Sequence, residues 1–155
     1  MPEQLERVGL QNLLESEIPL SRALAVQVRE ASADEIRLVA PLEPNHNHQG
    51  TAFGGSLYSV AVLAAWSLAQ CWLRSEGLRA NVVIQSGDLD YLEPVSANFE
   101  AVARGPDREA SVRLKRTLLR HGRGRIELQS DILCEGRCCA RFSGRFVLLQ
   151  ATSGA

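Results

Sequence analysis

From Asn45 to Ser56 the chain reads Asn-His-Asn-His-Gln-Gly-Thr-Ala-Phe-Gly-Gly-Ser, a loop of amide, imidazole and hydroxyl side chains ending in two glycines. Directly after it, Leu57–Leu73 contains no charged residue, and only Tyr58, Ser59, Ser67 and Gln70 break its apolar character. A run of that kind and length reads as a long helix that is apolar on nearly every side. The first N–H groups of a helix have no partner inside it, and a glycine there has no Cβ to hold a ligand off. Gly54 and Gly55 would therefore let a ligand approach those free N–H groups, with Asn47 and His48 in the loop beside them.

Other groups could add to this chemistry. His46 and His48 share one side of an extended loop, a spacing that would suit a metal, yet no nearby Cys, Asp or Glu completes a ligand shell. A water-binding or general-base role suits His48 better, because an imidazole titrates near neutrality. Asp88 and Asp90 lie at the end of a strand and share a face by alternation unless a bulge intervenes. Arg104–Arg125 holds Arg104, Arg108, Arg113, Lys115, Arg116, Arg120, Arg123 and Arg125 against Asp107 and Glu109. Such a rim suits an acidic substrate, while alternation along a strand would set most of these side chains in solvent. Aromatics are few and not interleaved with the basic residues, so nucleic-acid binding has no support.

The elements that position these residues follow from period and punctuation. Gln4–Glu15 reads as a short amphipathic helix ended by Ile18-Pro19. Leu24–Arg29 and Glu35–Ala40 read as a hairpin across Ser32-Ala33-Asp34, with Ile36, Leu38 and Ala40 alternating against Glu35, Arg37 and Val39. The apolar helix spans Gly55–Leu73 and stops at Ser75-Glu76-Gly77. Everything after Asn81 reads as strand: Val82–Tyr91, Asn98–Arg104, Ala110–Arg120, Arg125–Cys134 and Arg137–Leu149, joined by short turns as an antiparallel meander. One helix apolar all round and one curved antiparallel sheet satisfy each other when the sheet wraps the helix.

Bulk properties agree. A chain of 155 residues is long enough for one domain, 1–155, with a single core, and a net charge of −1 exerts no general pull on nucleic acid or anionic membrane. The charge-free run falls short of a bilayer span and sits among strands and charged turns, which argues against membrane insertion. The first twenty residues carry Glu3, Glu6, Glu15 and Glu17 and lack the apolar block of a signal peptide. Cys71, Cys134, Cys138 and Cys139 form no C-x-x-C pair, so reduced thiols in a cytoplasmic protein are expected. The tail Ala151–Ala155 reads as loose.

The expected α+β arrangement, a long buried helix wrapped by a curved antiparallel sheet with a short N-terminal helix, is the hotdog fold. Asn47-His48-Gln49-Gly50-Thr51-Ala52-Phe53-Gly54-Gly55-Ser56-Leu57 resembles the loop-and-helix signature of hotdog thioesterases. With Trp66 and Asp90-Tyr91-Leu92-Glu93-Pro94-Val95, it most resembles the thioesterase branch found also as the C-terminal domain of some acetyltransferase-fused bacterial proteins. The resemblance covers roughly Ile18 to Leu148. It implies hydrolysis of acyl-CoA or acyl-carrier-protein thioesters without a cofactor. The carbonyl would be polarised by the Gly54 or Gly55 N–H at the positive end of the helix dipole, Asn47 would lie beside the attacking water or the thioester, and Phe53, Ser56, Asp90 and Tyr91 would line the substrate. It also implies a homodimer or a dimer of dimers, since one hotdog leaves a sheet edge open.

One departure matters. Many relatives carry an Asp or Glu two turns into the central helix as nucleophile or base, where this chain has Ala61, Val62 and Leu63. An acid would have to come from elsewhere, Asp88 ahead of Asp90 and supplied by a partner subunit, or His48 would serve. Hydration or dehydration of acyl chains needs the missing helix carboxylate as well. Two readings stand: a thioesterase, and a non-catalytic module that binds acyl thioesters.

Overall fold

The computed structural model describes residues 2–151 of the chain; the tail from 152 onward lies outside them. Helix α1, Pro2–Glu17, buries Leu10 and Leu14. Its Gln11 brackets the following strand, donating from Nε2 to the Val26 carbonyl (3.0 Å) and accepting from the Val28 N–H (2.6 Å). A single helical turn, α2 (Leu20–Ala23), then leads into β1 (Gln27–Ala31) and β2 (Glu35–Ala40). Strand β1 thus begins three residues later than the sequence suggests, because Leu20–Ala23 coils and Ala25 takes a left-handed φ of 57°. In β2 every second residue is buried, as the alternation requires.

After a short 3-10 turn at Glu43–Asn45 and the polar loop comes α3, Gly54–Ser75. Strands β3 (Ala80–Tyr91) and β4 (Phe99–Arg104), helix α4 (Arg108–His121), and strands β5 (Arg123–Cys134) and β6 (Arg137–Gln150) complete the chain. The six strands form one antiparallel sheet in the order β1-β2-β4-β5-β6-β3, which does not close. Its inner face presents Ile36, Leu38, Ala101, Ile132, Phe142, Phe146 and Leu148 to α3, whose Val60, Ala61, Ala64, Ala65 and Leu68 are wholly buried. Each such Leu, Val or Phe contributes roughly 1.5–3 kcal/mol when removed from water. Ser130 Oγ donates to the Ala61 carbonyl (2.7 Å) and ties the middle of α3 to β5. By length and composition α3 could cross a membrane, yet 67% of its most apolar window is buried within the protein.

Two expectations are corrected. Ala110–Arg120 is not a strand but most of α4. The Asp107 carboxylate caps it by accepting from the Ala110 N–H (2.8 Å), Gly122 ends it with a φ of 73°, and Leu114 and Leu118, four residues apart, are its buried side. The arginines of this segment therefore ride on a helix rather than alternate across a sheet. The strands are also not a simple meander: β4, β5 and β6 pair in sequence, but β3 pairs with β6 and lies at the sheet edge.

Candidate active site

The loop before α3 is built by hydrogen bonds at its base. Asn45 is buried: its Nδ2 donates to the Leu24 carbonyl (2.9 Å) and the Pro41 carbonyl (2.8 Å), and its own carbonyl accepts from the Phe53 N–H (2.7 Å). The Ala52 N–H donates to the Val95 carbonyl (2.8 Å), which ties the loop to the segment after β3. Asn45 was not singled out by sequence reasoning, because a lone asparagine in a polar loop carries no periodic signal.

Asn47 closes the tip. Its Oδ1 accepts from the Gln49 N–H (2.8 Å) and the Thr51 N–H (3.1 Å), and its Nδ2 donates to Thr51 Oγ1 (2.8 Å). With Gly50 at a φ of 80°, this is an Asx turn that holds residues 47–51 in a tight bend. His46 sits at 2.9 Å from the Asn47 carbonyl through Nδ1, and His48 is exposed with no ring partner among the described residues. No group of three metal-ligating side chains occurs among the described residues.

At the start of α3 no side chain caps the helix. The Ser56 and Leu57 N–H groups donate back to the Phe53 carbonyl (2.9 and 3.1 Å), while the N–H groups of Gly54 and Gly55 have no partner among the described residues. Gly55 is exposed, Gly54 and Ser56 are half-buried, and Phe53 is 57% exposed beside them. Two free donors at a positive helix end, open on one side, can hold a carbonyl oxygen as it gains charge.

Tyr91, at the end of β3, reaches this point: its hydroxyl donates to the Gly54 carbonyl (2.8 Å). Burial, and secondarily Tyr58, push the Tyr91 phenol above its usual pKa, so it stays protonated as a donor at neutral pH. Tyr58 stands one turn after Gly54, edge-on to Phe142 at 5.6 Å. A Cβ on Gly87 would fall 2.2 Å from its hydroxyl, so a side chain there would force Tyr58 aside. Tyr58 was missed, although its spacing of four from Gly54 was a usable signal. That spacing continues: Gly54, Tyr58, Val62, Trp66 and Gln70 form a half-buried stripe on α3, and Trp66 Nε1 donates to the Val82 carbonyl of β3 (3.0 Å).

Asp88 and Asp90 lie elsewhere. They pair across β3–β6 with Ser143 and Arg141, and those residues pair in turn with Gln129 and Asp131 of β5. All belong to the outer face, since the intervening Phe142 and Ser130 point at α3. Both aspartates are exposed, on the side of the sheet away from Gly54. The structure therefore brings Phe53, Gly54, Gly55, Ser56 and Tyr91 together at the start of α3, holds Asn47 and His48 in the bend that precedes it, and leaves Asp88 and Asp90 on the outer face of β3.

A central apolar helix wrapped by an antiparallel sheet, entered through a polar loop and two glycines, is the architecture of the hotdog thioesterases. Solved structures share it. A protein of unknown function from Chlorobaculum tepidum matches at 29% identity over 94% of each chain, with a TM-score of 0.89. A protein from Shewanella oneidensis described as a putative thioesterase matches at 26% identity over 94% of this chain and 99% of its own, with a TM-score of 0.84. A Pseudomonas aeruginosa protein at 21% identity, covering 96% of this chain and 95% of its own with a TM-score of 0.80, adds the fold alone. The family model described as "Putative thioesterase (yiiD_Cterm)" matches residues 8–150, and the chain belongs to that family.

Proposed function

We propose that this protein hydrolyses acyl thioesters of coenzyme A or of an acyl-carrier protein. The observation that carries the reading is the pair of unpartnered N–H groups of Gly54 and Gly55 at the open end of α3. A thioester carbonyl set against them would have its developing negative charge held in the tetrahedral intermediate, whose collapse expels the thiolate. Asn47 shapes the loop that borders this point. Phe53, Ser56 and Tyr91 line the approach.

Water activation falls to His48 ahead of Asp88. His48 stands on the loop itself with a free ring, whereas Asp88 and Asp90 face outward from the sheet. The proton that His48 takes from water returns to the departing thiolate.

A homodimer formed through β3 fits this reading. Its 12 residues lie along a free sheet edge with Val83 and Ile84 exposed, and an edge of that length is normally paired. Free thiols on all four cysteines suit a reducing, cytoplasmic setting.

The second reading, an acyl-thioester binding module without turnover, draws on the absence of any carboxylate or histidine between Gly54 and Leu73. Incubating the purified protein with acyl-CoA and acyl-carrier-protein thioesters and following free thiol separates the two. Thiol release above the uncatalysed rate is expected; saturable binding without release would favour the module.

A further inference from the structure

The two free N–H groups at the start of α3 differ in what holds them. A trans peptide is planar with its C=O and N–H pointing opposite ways, so whatever fixes a carbonyl also aims the N–H of the next residue. The Gly54 N–H shares its plane with the Phe53 carbonyl, which accepts from the Ser56 and Leu57 N–H groups. That plane is fixed by backbone alone. The Gly55 N–H shares its plane with the Gly54 carbonyl. Inside α3 this carbonyl has only its helical partner, the N–H four residues on. From outside the helix it accepts the Tyr91 hydroxyl at 2.8 Å. The next carbonyl, of Gly55, accepts from Ser59 Oγ (2.8 Å), but the N–H in its plane belongs to Ser56 and is already engaged with Phe53.

Tyr91 is well placed to hold that plane still. It ends β3 opposite Ala140, and the next two N–H groups, of Leu92 and Glu93, both donate to the Cys139 carbonyl of β6 (2.8 and 3.1 Å). Its backbone is thus anchored to the sheet on both sides. Because Gly54 has no Cβ, the Tyr91 ring packs directly against it. A phenol carries one hydrogen, and this one is engaged with Gly54, so the hydroxyl has none left to donate to a substrate. The first turn of a helix is where the ladder frays, and α3 has no side-chain cap to steady it.

We infer that Tyr91 is a positioning residue, whose hydroxyl, acting through the Gly54 carbonyl, aims the Gly55 N–H at the carbonyl of a bound thioester. The inference rests on the thioesterase reading for what the N–H is aimed at. A hydrogen bond received by the carbonyl also polarises the peptide, which makes the N–H on its far side a stronger donor. Tyr91 therefore works without touching the reacting atoms.

Tyr91→Phe keeps the ring and removes only the hydroxyl. With an acyl-CoA, kcat is expected to fall about three- to tenfold, the size of one neutral hydrogen bond, while KM holds, as for an interaction that acts only in the transition state. On a Gly55→Val background, where the N–H is already covered, the same substitution should cost nothing further, because the two changes act through one group. Nitrogen-15 spectra of the intact protein supply a readout independent of turnover. The Gly55 amide should move upfield in Tyr91→Phe, and the Gly54 amide, whose plane belongs to Phe53, should stay. An unmoved Gly55 amide would overturn the inference. So would an equal loss of kcat on both backgrounds, which marks a general structural role, or a raised KM with kcat unchanged, which marks a substrate contact. If even the wild type releases no thiol, the hydrolase reading fails, and a Gly55 amide that moves alone would still leave Tyr91 assigned as the residue that orients this N–H.

Discussion

Filling the space in front of the helix N-terminus should separate activity from stability. Gly55 is exposed, and a Cβ built on it meets only the Phe53 ring, at 2.6 Å from Cε1. That ring is 57% exposed and can swing aside, so Gly55→Ala and Gly55→Val are accommodated in the fold. Gly54 is tighter in another way: its Cβ would stand 3.2 Å from the Tyr91 hydroxyl and 3.3 Å from two ring carbons, which the half-exposed tyrosine can relieve by a small shift. Replacing a helical glycine by alanine adds up to about 1 kcal/mol of stability in a helix interior and less in the first turn. The melting temperature of Gly55→Ala should therefore hold or rise.

Activity should move the opposite way. Losing one oxyanion donor costs about 10²–10³ in rate, or about 2.7–4 kcal/mol of transition-state stabilisation. Gly55→Val, with two branches over the N–H, should reach that range, with Gly55→Ala intermediate. The assay pairs thiol release from an acyl-CoA with a thermal melt on the same preparation. A Gly55→Val protein that melts with the wild type and turns over within threefold of it would refute the placement of the carbonyl at α3.

Asn47→Ala removes all three side-chain hydrogen bonds of the Asx turn; at roughly 0.5–1.5 kcal/mol net each it should loosen the loop and lower turnover. Asn47→Asp, which keeps both accepted bonds, should recover part of the activity in the same thiol assay. Ser67 is fully buried with its hydroxyl unpartnered among the described residues, so Ser67→Ala should stabilise by about 1 kcal/mol, or about 2–4 °C in the melting temperature of a chain this size. Burial, reinforced by the charge of Glu6, pushes the Cys71 thiol up to about 12. The fold therefore holds this proton more tightly than the unfolded chain does. That stability is present below the ordinary thiol range and is lost as pH rises through about 12; denaturant midpoints measured from pH 8 upward should fall less steeply in Cys71→Ala than in wild type.

The central helix and its polar entry were legible because they depend on local pattern: no charge from Leu57 to Leu73, and glycines where free N–H groups must be approached. Helix α4 was not. Val112-Arg113-Leu114-Lys115 alternates like a strand, and only the cap at Asp107, the spacing of Leu114 and Leu118, and the left-handed Gly122 reveal the helical period. The edge position of β3 could not be read either, since pairing with β6 instead of β4 is settled by contacts between distant segments.

The placement of the two aspartates turns on a single residue. Val82 points inward opposite the buried Leu148, and Ile84 opposite the buried Phe146. Strict alternation from there would send Ser86, Asp88 and Asp90 inward as well, towards α3. Instead the register slips between Ile84 and Ser86, so that Ser86 pairs with the outward Arg145 and Gln85 is the extra residue. From that bulge on, parity is reversed: Gly87, Leu89 and Tyr91 face α3, and Asp88 and Asp90 face away. The same slip brings the Tyr91 hydroxyl onto Gly54 and sets Gly87 under Tyr58, where a Cβ would force the Tyr58 hydroxyl aside. One inserted residue thus takes both carboxylates from the inner face and puts a phenol at the helix start. With no acid within α3 and none on this face of β3, the proposed hydrolysis relies on the histidine of the entry loop to activate water.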